Sequence, residues 1–268
     1  MQIGKETVPK TRISTSNPDT IIVRGRDLAN ELIGKVSFTD YFHLLVTGTQ
    51  PSPAATAVLD AALVAIAEHG LVPSVQASRM TLAAAPEAMQ GAVAAGILGC
   101  GSVILGAAES AGEFLEEVRL RSQGRDFTHA AKEVVAEYRH EKRAIPGYGH
   151  PLHKKRDPRV AALFQVAQTA GADMTYISIA ETIEQILPDI VGKALMLNVS
   201  AAIPAVLLGV GFPIKALKGV PILARTAGLI GHLAEENEQP IGFALSYQAA
   251  RHAVYEGDAP AGFVPNES

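Results

Sequence analysis

The chain has 268 residues, 48% of them apolar and 19% charged, with a net charge of −4. That balance suffices for one large or two smaller buried cores, and it excludes both a disordered chain and one with a general basic field for nucleic acid or an anionic membrane. The apolar share is dominated by Ala, Leu and Val with no Trp and 5% aromatics, a composition that leans towards closely packed helices.

The N-terminal stretch Met1–Thr7 is polar and lacks the apolar run of a secretory signal. Thr20–Arg24 is a short β-branched run. Asp27 reads as the N-cap of a helix starting at Leu28, and Ser37 or Thr39 starts the next. After the turn Gly48–Pro53, Ala54–Glu68 is strongly periodic, and a helix is expected from about Val75 to Ala84. Further helices are expected over Gln90–Ala108, Glu109–Gln123, Thr128–Glu141, Tyr176–Leu187, Ile190–Leu197, Ala201–Leu208 and Pro221–Gln239, with another opened by Asp157-Pro158. No long run alternates apolar and polar residues at period two.

Two uncharged stretches, Gln90–Ala108 with 19 residues and Ala194–Ile214 with 21, are long enough to cross a bilayer. The first is rich in Gly and Ala, and the second is broken by Asn198, Ser200, Pro204 and Pro213. Both are therefore expected to be buried helices of a soluble protein, or to lie at a subunit interface. The single cysteine, Cys100, excludes an internal disulfide, suits a reducing cytoplasm and is expected to be buried and inert. Gly99-Cys100-Gly101 is a poor dinucleotide fingerprint, because the third glycine is misplaced and no strand precedes it.

Chemistry concentrates after residue 145. In Pro146-Gly147-Tyr148-Gly149-His150, the glycines let backbone N–H groups approach a ligand and the histidine can transfer a proton near neutral pH. Lys154, Lys155 and Arg156 form a local basic cluster, and Arg159 lies just inside the Asp157-Pro158 helix start, placed to fork onto a carboxylate. Read as residues alone, the segment fits an anion site with an acid/base histidine or a surface loop of solvated charges. His153, three residues beyond His150, has no Cys or acidic partner pattern, so no metal site is expected.

The Pro-Gly-Tyr-Gly-His loop, the basic residues and Asp157-Pro158-Arg159 resemble the citrate synthase superfamily. So do Arg24–Leu28 with Leu44–Gly48, the Ala67–Gly70 segment, Asn198-Val199, and the late helix Leu223–His232. The Ile230-Gly231-His232 triplet and the short length point towards its citryl-CoA lyase and ATP-citrate lyase branch. The resemblance implies an all-α, citrate synthase-like fold with a large domain from residues 1–109 and 202–268, a small inserted domain over 110–201, and a homodimer.

It further implies His150 as catalytic residue and His69 as a dicarboxylate contact. Arg159 and Arg225 would be carboxylate ligands, and coenzyme A would be bound by Pro146, Gly147, Tyr148, Gly149, Lys154 and Lys155. For Arg159 and Arg225 the alternative is an interhelical salt bridge; for His232 it is a structural role bridging helices. No cofactor is expected beyond coenzyme A as part of substrate or product, and the partners are acyl-CoA and 2-oxo acid small molecules.

The implied activity is reversible cleavage of citryl-CoA, or a related hydroxy-carboxyacyl-CoA, to acetyl-CoA and oxaloacetate or another 2-oxo acid. A condensing acyltransferase and a non-catalytic acyl-CoA-binding paralogue are the alternatives. Two positions depart from the family pattern. Ile104 stands where citrate synthases carry a second catalytic histidine, a loss shared by the ATP-citrate lyase module. Ser200 stands where the family has the aspartate that exchanges the acetyl proton, a task beyond an unassisted hydroxyl near pH 7.

Overall fold

A computed structural model describes residues 8–101, 107–149, 156–258 and 260–262. The fold is all-α, with eleven α-helices and one small sheet among the described residues. Two compact units emerge: one from residues 1–62 and 108–217, the other from 63–107 and 218–268.

The first unit opens with the sheet β1 (Ser14–Ser16), β2 (Ile21–Val23) and β3 (Arg26–Asp27), an antiparallel meander. Asp27 then caps a π-helical turn over Leu28–Leu32 by accepting the Asn30 N–H at 2.9 Å. Ser37 caps α1 (Phe38–Thr47), whose Leu44 joins Val23 and Leu32 in a small core. Helix α2 (Pro53–Ala67) follows, and its last turn, from Leu63 on, belongs to the second unit.

The main body of this unit comprises α5 (Ala107–Ser122), α6 (Phe127–His140), α7 (Pro158–Thr169), α8 (Thr175–Val191) and α9 (Val199–Leu208). Helix α6 packs on α8, and both α7 and α8 pack on α9. Every residue of α9 is buried except Ser200. A helix apolar all round is thus covered on every side. Gly112 on α5 leaves room for its neighbours: a Cβ there would lie 2.3 Å from Leu217 Cδ1 and 3.4 Å from Pro204 Cβ on α9.

The second unit packs α3 (Pro73–Ala84) against α4 (Met89–Leu98), α10 (Gly219–Glu238) and α11 (Gly242–His252). A buried ion pair ties three of these together. Arg79 Nε on α3 donates to Glu236 Oε2 on α10 at 2.6 Å, and Glu236 also accepts the Ile241 and Gly242 N–H groups at the start of α11.

The structure corrects several expectations. The helix expected over Gln90–Ala108 is α4, which ends at Leu98, and α5 begins separately at Ala107. Glycine's low helix propensity accounts for the break at Gly99–Gly101. The expected split at Pro188 does not occur, because α8 runs through that proline and stops at Gly192, whose φ is 75°. No separate helix forms over Ile190–Leu197: α8 ends at Val191, and Met196–Asn198 bond to the Gly147–Gly149 loop instead. Among the described residues no helix is long and apolar enough to cross a membrane. Cys100 is buried.

Candidate functional site

The first cluster lies within the first unit, where the Pro146–Gly149 loop is stitched to the chain entering α9. Asn198 N–H donates to Gly147 O at 3.0 Å, and Gly149 N–H to Met196 O at 2.8 Å. The Asn198 side chain donates to Gly149 O and accepts the Ser200 N–H, each at 2.9 Å, so one residue caps α9 and ties down the loop. Gly147 has φ 84°, and a Cβ there would sit 2.3 Å from that of Ala201. Glycine is therefore required for both conformation and space.

Tyr148 is buried, and its hydroxyl donates to Ala180 O on α8 at 2.9 Å. Burial pushes its pKa well above the usual phenol value, so it stays a neutral donor. Its hydroxyl is thus committed to the fold. The half-buried Ser200 lies beside this loop, in the first turn of α9.

Asp157 caps α7 by accepting the Arg159 N–H at 3.0 Å. The Arg159 guanidinium folds back onto the same carboxylate, Nε to Oδ1 at 3.0 Å and Nη2 to Oδ2 at 2.7 Å. Burial pushes the Asp157 carboxyl up, but the Arg159 hydrogen bonds outweigh it and hold the group below its usual range. Arg159 thus grips the carboxylate that caps its own helix. Arg156 is likewise engaged, reaching Glu184 on α8 at 3.1 Å. His150, His153, Lys154 and Lys155, like Ile104, lie outside the described residues.

A cavity of 690 Å³ opens beside the loop, lined by Ile145 and Tyr148 on one side and by Val191 and Leu195 on the other. Four cations surround it, Arg139, Lys142, Arg143 and Lys193, with no acidic residue among the described residues of the lining. Arg143 stacks on Tyr138 at 3.7 Å and pairs with Glu141 at 2.9 Å. The sequence reading did not single out these four. The Lys142-Arg143 pair just before Ile145 was a visible signal, whereas Lys193 joins only because the chain leaving α8 returns to the loop.

The second cluster lies within the second unit. His69 is exposed just beyond the end of α2. Arg225, on α10, is only 4% exposed, yet its Nε and Nη1 have no hydrogen-bond partner among the described residues. An unsatisfied buried guanidinium costs more than the roughly 1–3 kcal/mol of a neutral group, so it is a ready receptor for a carboxylate, which it can hold bidentately. His232, two turns further along α10, places Nε2 2.9 Å from Glu68 Oε1, an ion-pair distance at an angle poor for a hydrogen bond.

Within the first unit a glycine loop lies beside a cavity lined by cations, and within the second Arg225 is a buried guanidinium with two nitrogens unpartnered among the described residues. The sequence pattern described as "Citrate synthase, C-terminal domain" matches residues 24–242, and the chain belongs to the citrate synthase family. It resembles the solved citryl-CoA lyase of Hydrogenobacter thermophilus, with 31% identity, a TM-score of 0.83, and coverage of 96% of this chain and 98% of that one.

A citrate synthase from Synechocystis is 27% identical over 237 residues, covering 86% of this chain and 56% of its own. The chain spans about half the length of the curated relatives it matches. The ATP citrate lyase of Methanosaeta concilii, solved with (3S)-citryl-CoA, shares the fold at 22% identity and a TM-score of 0.77; this chain covers 43% of it.

Proposed function

We propose that this chain reversibly cleaves citryl-CoA, or a closely related hydroxy-carboxyacyl-CoA, to acetyl-CoA and oxaloacetate or another 2-oxo acid. The observation that carries this is Arg225, a buried guanidinium with two nitrogens unpartnered among the described residues. The near-complete two-way coverage with a citryl-CoA lyase supports the direction of cleavage.

In this reading His150 accepts the proton of the tertiary hydroxyl as the ketone forms. The carbon–carbon bond breaks, its electron pair leaves as the acetyl-CoA enolate, and a proton returns to that carbon. Arg225 and His69 hold the dicarboxylate portion, and Arg159 contributes to carboxylate binding while shared with Asp157. The loop Pro146–Gly149 meets the coenzyme A arm through its backbone. Lys154 and Lys155, together with the four cations of the neighbouring cavity, neutralise its phosphates. Positioning of this kind supplies about 7–11 kcal/mol of barrier reduction, which allows turnover with Ser200 in place of a carboxylate. We extend the family's homodimer and a cytoplasmic location to this chain as part of the same proposal.

The names of the sequence relatives favour a second reading, condensation to citrate. Both directions need a group that exchanges the proton on the acetyl carbon, and position 200 offers only a hydroxyl to either, so this position does not separate them. Incubating the protein with a panel of acyl-CoAs, 2-oxo acids and citryl-CoA, followed by mass spectrometry, separates the two. Acetyl-CoA and oxaloacetate arising from citryl-CoA support the lyase. Citryl-CoA left intact while another hydroxyacyl-CoA vanished would remove citrate from the assignment.

A further inference from the structure

Arg225, Gly228 and His232 follow one another at three- and four-residue steps on α10, so they share one face of that helix. That face lies against the end of α2 and the segment that carries His69. Gly228 makes the approach possible: a Cβ there would sit 2.0 Å from Ala67 O and 3.2 Å from Glu68 Oε2. Any side chain would push α10 away. One turn on, His232 Nε2 comes to 2.9 Å from Glu68 Oε1. The Glu68 carboxylate also folds over its own downstream backbone and accepts the Gly70 N–H.

Glu68 therefore holds the His69-Gly70 turn with one carboxylate while His232 grips that carboxylate from α10. Burial pushes the Glu68 carboxyl up, but the His232 contact and the Gly70 and His69 backbone donors together hold it below its usual range. It is thus fully ionised at neutral pH. Gly70 has φ 72°, so the turn needs a residue that tolerates the left-handed region. It also needs something to hold it, because Glu68, His69 and Gly70 are all exposed.

We propose that Glu68 and His232 are positioning residues: together they latch the His69 turn to the helix that carries Arg225, and so fix the spacing of the two groups that receive the dicarboxylate. This rests on the functional reading above, in which His69 and Arg225 hold that ligand. Neither Glu68 nor His232 touches the reacting atoms. Their contribution is geometric, and a pair of ligand contacts a fraction of an ångström out of register loses affinity steeply.

The test compares the wild type with Glu68→Ala, His232→Ala, the double variant and His232→Gln. It measures oxaloacetate and coenzyme A affinity by calorimetry, kcat and KM for citryl-CoA, and deuterium uptake across residues 66–72. Each alanine variant is expected to weaken oxaloacetate binding and lower kcat/KM by about 10–100-fold, with coenzyme A affinity unchanged. The double variant should be no worse than either single one, since both break one contact. His232→Gln should recover most of the loss, because its flexible amide can turn an N–H onto Glu68. Uptake across 66–72 should rise in the alanine variants and stay low elsewhere.

Additive losses, an equal fall in coenzyme A and oxaloacetate affinity, or unchanged uptake across 66–72 would each overturn the latch. A wild type that bound neither oxaloacetate nor citrate would instead overturn the proposed function, while the uptake measurement would still decide whether the latch exists.

Discussion

At the scale of single residues, Arg225 separates a binding role from a structural one. A guanidinium serving a salt bridge stabilises the fold, whereas one buried without a full set of partners burdens it. Arg225→Met is expected to leave the thermal midpoint unchanged or raise it, while oxaloacetate affinity falls by about 10–100-fold. Calorimetry and thermal unfolding on the same variant check both halves, and a large loss of stability would mean a structural bridge. Arg225 was legible because a ten-residue motif surrounds it. The cavity cations were less so: Arg139, Lys142 and Arg143 sit on α6 and the turn after it, but Lys193 comes from 50 residues further on. Arg159 was read as a carboxylate ligand from its place in the Asp-Pro-Arg triplet, and the same triplet supplies the carboxylate it grips in the fold.

At the scale of elements, the Arg79–Glu236 pair is where buried charge bears on stability. Both side chains are 2% exposed, and Glu236 alone touches α3, α10 and the start of α11. Burial pushes the Glu236 carboxyl up, but Arg79 and two backbone donors hold it below its ordinary value. Its contribution is therefore complete above the unfolded glutamate value of about 4.3 and is lost as pH falls through the lower folded value. Glu236→Ala is expected to cost about 3–5 kcal/mol in urea unfolding at pH 7, and distinctly less near pH 3, where the wild type has lost part of the pair's benefit. An equal cost at both values would contradict the ion-pair account.

Helix starts were legible wherever a short-range cap sets them, as at Asp27, Ser37 and Asp157. The stops were less so. Pro188 reads as a helix end, yet α8 carries on for three residues because Gly192 supplies the real terminus. Helix α11 went unread because Pro240 and Gly242 look like punctuation, although its first turn is held by Glu236 from another helix. The three short strands carry too few residues to show a period of two.

At the scale of the whole molecule, an acidic chain of net charge −4 concentrates four cations around one cavity of 690 Å³. If that cavity receives the phosphates of coenzyme A, then Lys142→Glu with Lys193→Glu should weaken coenzyme A binding by at least about tenfold, and the wild-type affinity should fall with added salt. Oxaloacetate affinity, which depends on the other cluster, should not change. Unaltered coenzyme A binding in the double variant would place the phosphates elsewhere. Family membership was legible across residues 24–242 because its motifs are local, whereas the partition into two units depends on distant contacts that no short window records.

We propose that the site breaks a carbon–carbon bond beside a thioester, with His150 moving the proton. Single-turnover mixing of excess protein with citryl-CoA, quenched and read by mass spectrometry, tests it most directly. The predicted result is acetyl-CoA and oxaloacetate in equal amounts from the wild type, with the rate reduced by about 10²–10⁴-fold in His150→Ala and coenzyme A affinity retained. Wild-type protein that bound coenzyme A tightly but left every hydroxyacyl-CoA intact, or His150→Ala that cleaved at the wild-type rate, would contradict it.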